Sequence, residues 1–191
     1  MTKAELKVLL FLLQDKENAN MTLRQIAEGS GVSLGAVHGV VAKFERKGYL
    51  VESAGKRALC KRGTLILKWA ESYSETMKDK IMIQRFRFIA PVIQEKWEEI
   101  ALGEDAWWGG EPAAYCMDRY IKPERWDVYV RENANCLIAT GRMIPDPNGQ
   151  IYVHRKFWNG DSVPPLVVYA DLLAVEDDRC REAAERIRER L

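Results

Sequence analysis

Residues 21–57 read MTLRQIAEGSGVSLGAVHGVVAKFERKGYLVESAGKR. Thr22 stands where a helix needs a cap, and Leu23, Ile26 and Ala27 then turn inward. Gly29-Ser30-Gly31 breaks that helix, and Ser33 is placed to cap the next. From there Leu34, Val37, Val40, Val41 and Phe44 recur at helical spacing, which predicts one buried stripe. The opposite face carries Gly35, Gly39, Ala42 and Arg46, flanked by His38 and Lys43. Small side chains let a helix approach a surface closely, and a cationic end suits phosphate. The second helix of a helix-turn-helix needs both to enter a major groove. Lys47-Gly48 stops the helix and Tyr49-Leu50-Val51 starts a strand. Ala54-Gly55-Lys56-Arg57 turns with two cations, and Ala58-Leu59-Cys60 returns as a second strand. The stretch therefore predicts helix, turn, helix and β-wing. Two other readings remain open: a small helical core with a charged face, and a winged helix that binds only protein.

Before this unit, Thr2 is placed to cap a helix through Leu13 with Leu6, Leu9, Leu10 and Leu13 inside, completing a three-helix core. Gln14–Asn20 reads as a polar loop. The 191 residues, 47% hydrophobic and 30% charged, fit one soluble globular domain or two small ones. No apolar run approaches the ~20 residues that span a bilayer, and no signal-peptide cleavage pattern is visible, so a cytoplasmic protein without membrane attachment is expected. The four cysteines, Cys60, Cys116, Cys136 and Cys180, stand far apart without a CxxC, which argues for free thiols and against a zinc site or disulfide framework. A net charge of +1 conceals an asymmetry. Residues 1–63 hold 11 Lys and Arg against 6 Asp and Glu, net +5; the rest hold 18 against 22, net −4. A basic front and an acidic back suit a nucleic-acid module joined to a part with another task.

After the wing, residues 63–79 read as one helix, with Thr64 as its cap and apolar positions on more than one stripe, a candidate for self-pairing. Residues 81–89 alternate with one slip in phase, a strand with a bulge. An amphipathic helix is expected over 92–102. Trp107-Trp108 then leads into a Gly109-Gly110 turn and a helix to about Tyr120, with Pro112 and Glu111 suited to its first turn. Strands are expected at Asp127–Val130 and Gln150–Phe157, with a helix over 133–142 and a Pro145–Gly149 turn between them. Helices over 164–174 and 176–191 close the chain, the second begun by Asp178 and Arg179. The fold class is α+β: a winged helix-turn-helix over residues 1–80, then a small mixed α/β domain over 81–191.

Chemistry is sparse. Gly109-Gly110 has neither the P-loop Lys-Ser/Thr pair nor a dinucleotide spacing, and Glu111 repels anions, so a structural turn is the better reading. Asp171, inside the apolar run YADLL, is suited to bond a neighbouring element such as the Trp107-Trp108 loop. His38 and His154 are the two histidines, with no Ser/His/Asp order, metal-ligand cluster or HExxH. Glu111, Asp127 and Lys156 fit a nuclease-type pattern poorly, because Asp127-Val128-Tyr129-Val130 lacks the lysine. Trp107, Trp108 and Trp158 are candidates for an aromatic partner surface, with burial as the default. No catalytic residue, metal or cofactor is expected.

WGGEPAA (108–114), Pro123, VYV (128–130), DPNGQI (146–151), Phe157-Trp158, YADLL (169–173), Asp178-Arg179 and EAA (182–184) follow one another in order. Leu67-Lys68-Trp69 and QRFR (84–87) precede them. This order resembles the AbiEi family of antitoxins from type IV toxin–antitoxin systems, over nearly the whole chain. The resemblance implies an N-terminal winged helix that binds inverted repeats in its own promoter and represses it. It also implies a C-terminal domain that opposes a nucleotidyltransferase-type toxin without a stable complex.

The residues themselves point to double-stranded DNA. Gly35, His38, Gly39 and Ala42 approach bases, with Ser33 at the helix start. Arg24, Lys43, Arg46 and Lys47 meet phosphates, and Lys56 and Arg57 reach the flank or the minor groove. A homodimer would place two such helices in successive grooves. The alternative from another class is an enzymatic C-terminal domain acting on nucleic acid or modifying the toxin, centred on Asp171 and residues 107–111 and targeted by the winged helix. Buried, mutually satisfied groups there would favour a scaffold.

Overall fold

The computed structural model describes all of residues 1–191. Helix α1 (Lys3–Gln14) begins with a reciprocal capping box between Thr2 and Glu5. Val8 and Leu12 join the four expected leucines inside, because α1 has α2 and α3 on one side and α4 on another. The polar stretch after it is no loop. It is a 3-10 turn over Lys16–Asn20 that buries Asn18 and Ala19, with the Asn18 amide donating to the Phe11 carbonyl at 2.7 Å.

Helix α2 (Leu23–Ser30) opens on a second capping box, Thr22 with Gln25, and closes on Gly31 at φ 61°. Helix α3 (Leu34–Arg46) follows. The wing is a hairpin of β1 (Leu50–Ser53) and β2 (Lys56–Leu59), Leu50 opposite Leu59. Its two turn residues, Ala54 and Gly55, have φ 52° and 75°, as a type I′ turn requires.

The helix expected over 63–79 is interrupted. Helix α4 (Arg62–Tyr73) runs into a wide turn with i→i+5 bonding over Ser74–Lys78, then the single turn α5 (Asp79–Ile81). Its N-terminal position is taken by Lys61 in the left-handed region, and Thr64 does not cap it. The wide turn lets Tyr73, Met77 and Lys78 all face inward. Leu65, Ile66, Trp69 and Ala70 are packed against α1 and α9, so little apolar surface beyond Leu67 is left on α4 for self-pairing.

Five strands form one mixed sheet: β3 (Met82–Phe88), β4 (Ala106–Gly109), β5 (Trp126–Val130), β6 (Met143–Pro145) and β7 (Ile151–Arg155). Their order is β4-β5-β7-β3-β6, antiparallel except for the β5–β7 pair. The phase slip in β3 is a register shift between Met82 and Gln84. The helix expected over 92–102 breaks into α6 (Pro91–Glu95) and a 3-10 turn at Trp97–Glu99, because Trp97, Ile100 and Leu102 must all reach the sheet. Trp107 and Trp108 lie on β4 instead of a loop. The helix expected over 133–142 is only α8 (Asn135–Ala139), since Met143–Pro145 pairs with β3. Helices α7 (Gly110–Asp118), α9 (Pro165–Leu173) and α10 (Asp178–Arg188) cover one face. Asp177, one residue earlier than expected, caps α10.

Every residue of β5 is buried, because both faces of the sheet are covered. Trp126, Val128 and Val130 enter a core with Phe86, Phe88, Trp97, Ile151 and Val153. On the other face Tyr129 joins a larger core that runs through α9 and α10 into α4, α1 and the helix-turn-helix. The Trp69 indole N–H donates to the Leu6 carbonyl at 2.7 Å inside it. No helix is long and apolar enough to cross a membrane.

Candidate nucleic-acid interface and the buried polar centre

Val37, Val40, Val41 and Phe44 fasten α3 to the core. Leu34, expected in that stripe, is 43% exposed, because it stands in the first turn beyond the reach of α1 and α2. Ser33 occupies the cap position with extended backbone, but its hydroxyl makes no capping bond. Gly35, His38 and Gly39 face outward beside the half-buried Ala42. A Cβ built on Gly35 or Gly39 would meet no atom within 4 Å. Packing within the chain therefore requires neither glycine, although each weakens a helix by about 0.8–1 kcal/mol relative to alanine.

The cations divide into two sets. Arg24, Arg46, Lys47 and Lys56 are exposed and form no ion pair within the chain. Lys43 and Arg57 are committed inward. Lys43 pairs with the buried Glu5 carboxylate of α1. Burial pushes Glu5 up, but the Lys43 bond and the Thr2 backbone N–H hold it below the usual carboxylate range. Arg57 donates from its backbone N–H to Asn20 Oδ1 at 2.8 Å and from its guanidinium to the Met21 carbonyl, tying the wing to the start of α2. Their charge patterns in the sequence look alike; only tertiary partners separate them.

Under the sheet lies a buried polar cluster, in which His154 Nδ1 is left without a partner. Asp171 of α9 accepts from Tyr129 Oη at 2.8 Å, Tyr73 Oη at 3.1 Å and the Gly110 N–H at 3.3 Å, and pairs with Lys78 Nζ at 3.0 Å. Asp127 of β5 accepts from His154 Nε2 at 2.8 Å and Arg125 Nε at 3.2 Å, with Lys78 Nζ 3.9 Å away. The register explains the His154 contact: Asp127 sits opposite Tyr152, and Tyr129 opposite His154, on the same face. Two carboxylates thus face two cations, Lys78 and Arg125. Burial alone would raise Asp127, but Lys78, His154 and Arg125 hold it well below the usual range. Burial alone would lower Lys78, but Asp171 and Asp127 hold it above. The Tyr73 and Tyr129 phenols are pushed well above 10 by burial and by the Asp171 charge. Gly109 and Gly110 are needed here: a Cβ on Gly109 would lie 2.5 Å from the Tyr129 ring, and one on Gly110 2.6 Å from Asp127 Oδ2.

Glu111 is buried apart from this cluster. It accepts from the Glu124 N–H at 2.9 Å, and the Cys180 thiol is 3.5 Å away. Burial, followed by the Glu111 charge, pushes that thiol up to about 12. All four cysteines are free. Lys156 is turned towards Trp107 and the Gly160 carbonyl, so Glu111, Asp127 and Lys156 do not converge. The tryptophan trio does not form one surface. Trp158 is buried against Tyr129, while Trp107 and Trp108 are half-buried along an open groove of about 440 Å³ with Ile100, Leu102, Met117 and Val163.

Of the polar cluster, sequence reading singled out Asp171 and weighed Asp127 and His154 for other roles. It missed Lys78, Tyr73 and Tyr129, because a lysine in the run Met77-Lys78-Asp79-Lys80 reads as solvent-facing. The wide turn before it carries no composition signal.

Two family models match the chain. One, described as winged helix-turn-helix DNA-binding, covers residues 1–51. The other, described as transcriptional regulator, AbiEi antitoxin, type IV TA system, covers residues 58–191 and so includes the end of β2, α4, the five-stranded sheet and the polar cluster. No curated protein and no solved structure matches. With a DNA-binding winged helix at its front and the larger match over more than half its length, the chain belongs to the AbiEi antitoxin family of transcriptional regulators from type IV toxin–antitoxin systems.

Proposed function

We propose that the protein represses the promoter of its own operon by laying α3 in a major groove of double-stranded DNA, as a homodimer on inverted repeats. The observation that carries this reading is the outward face of α3, where Gly35 and Gly39 leave space that nothing in the chain fills. A helix that keeps two weakening residues on its exposed side is shaped for something outside. Gly35, His38, Gly39 and Ala42 approach base edges, with the exposed Ser33 at the end that enters first. Arg24, Arg46, Lys47 and Lys56 meet phosphates. Lys43 and Arg57 support α3 and the wing from within.

The C-terminal half, with a functional boundary near residue 80, opposes a nucleotidyltransferase-type toxin without a stable complex. The buried carboxylates of Asp127 and Asp171, each answered by cations or phenols of the fold, support a scaffold without chemistry of its own over an enzyme. Action on a promoter places the protein in the cytoplasm. Fluorescence anisotropy with the upstream intergenic duplex and a scrambled duplex of equal length tests the reading. The intergenic duplex is expected to bind about 10³-fold tighter at physiological salt. Equal binding to both would remove the repressor assignment.

A further inference from the structure

We propose that Asn159, in the C-terminal half, is a positioning residue for the helix-turn-helix: an external cap on the end of α2 that fixes the turn into α3. The loop of residues 156–163 between β7 and α9 is held from its own side. The Trp158 indole N–H donates to the Ser162 carbonyl at 2.8 Å and the Trp107 indole N–H to the Asp161 carbonyl at 2.7 Å. Lys156 bonds the Gly160 carbonyl, and the Phe157 ring packs on Trp69 and Tyr73. From this braced loop the exposed Asn159 amide reaches across to the other half. It donates to the Glu28 carbonyl at 2.7 Å and the Gly29 carbonyl at 3.1 Å.

Those carbonyls belong to the last turn of α2, where a helix has no partners of its own. The Gly31 N–H also reaches Glu28 O, but Asn159 is the one donor to Gly29 O within the chain. The same turn is seated from below, since a side chain on Gly29 would strike the Phe11 ring, and Lys7 Nζ bonds Gly31 O at 3.2 Å. On the far side of the turn α3 starts without a side-chain cap, because the Ser33 hydroxyl bonds nothing. Val37, Val40, Val41 and Phe44 seat the body of α3, and Asn159 holds the turn that leads into its uncapped start. The loop also shares Asp161, Ser162 and Val163 with the groove along Trp107 and Trp108, so it stands between that groove and α2.

The inference rests on α3 being the DNA-entering helix, so its test reads the grip with and without DNA, in the full-length protein. In Asn159→Ala, amide exchange at Gly31 and Val32 is expected to rise about fivefold while amides of β5 and β7 stay as in the parent. DNA affinity is expected to fall about three- to tenfold, the worth of one or two exposed hydrogen bonds, at an unchanged salt slope because no phosphate contact is lost. Asn159→Gln, which keeps the amide, recovers part of both. Asp161→Asn, whose side chain is 93% exposed, leaves both alone. Unchanged exchange at Gly31 and Val32 overturns the grip. Faster exchange with undiminished DNA affinity overturns the positioning role. A parent protein that binds no DNA sinks the DNA reading, while the exchange arm still decides whether Asn159 holds α2.

Discussion

The outward face of α3 and the cluster around Asp171 are opposites. On α3 two glycines face empty space, and Arg46 and Lys47 at its end have no carboxylate to answer them. Around Asp171 three donors and a lysine crowd one carboxylate, and a methyl group on either neighbouring glycine would collide. Residues whose needs are met inside the chain hold it together. Residues whose needs are met nowhere inside it are the ones the proposed reading gives to a partner. Glycine makes the contrast sharp, because at Gly109 and Gly110 the fold explains it and at Gly35 and Gly39 it does not.

Removing one side of a buried charge cluster has the largest expected effect. Lys78→Met leaves Asp171 and part of Asp127 uncompensated and is expected to destabilise the fold by about 3–5 kcal/mol in urea unfolding. A loss below about 1 kcal/mol would mean the cluster is wetter than its burial implies. The cations come next. Lys56→Ala is expected to weaken DNA binding about three- to tenfold and to lower the salt slope by about one, with stability unchanged. Lys43→Ala is expected to do the reverse, costing stability through the unpaired Glu5 and leaving the slope alone. If both lowered the slope equally, the division into outward and inward cations would fall.

A smaller effect follows from pH. Asp127 stays ionised in the folded protein to a lower pH than in the unfolded chain, where its pKa is about 3.9. The unfolded state therefore takes up the proton first, and stability is lost as pH falls below about 4. Lys78 has the opposite sign: its contribution is complete below its unfolded pKa of about 10.4 and is lost as pH rises past it. Cys180, raised to about 12 against about 8.5 in the unfolded chain, starts the alkaline loss earlier, from about pH 8.5, and Asp127→Asn should have a shallower acid limb. The smallest expected signal is chemical: Cys180, buried and pushed up to about 12, should resist alkylation at pH 8 in the native protein, while the exposed Cys116 reacts.

The winged helix was legible because its signals are local. Thr22 with Gln25, Gly31 in the left-handed region and the spacing of Val37, Val40, Val41 and Phe44 each act within a few residues. The α+β class and most strands were legible through alternation, including the slip in β3. What failed depended on distant partners. β4 and β6 are short, and only pairing with β5 and β3 makes them strands. Ile93, Trp97 and Ile100 carry helical spacing, yet the sheet core claims Trp97 and Ile100 together with Leu102 and breaks the helix. For the proposed interface, Lys43 and Arg57 could not be told from Lys56 before Glu5 and Met21 were seen beside them. Asn159 carried no signal, because its partners lie about 130 residues away.

The most direct measurement sets Gly39→Gln against the parent in two assays, thermal unfolding and binding to the upstream intergenic duplex. If the outward face of α3 is shaped for a groove, the variant is as stable or about 0.5 kcal/mol more stable, since glutamine is the better helix former. It then loses roughly 100-fold in DNA affinity, about 2–3 kcal/mol, to a side chain standing in the groove. A variant that melts like the parent and binds DNA equally well would contradict the account.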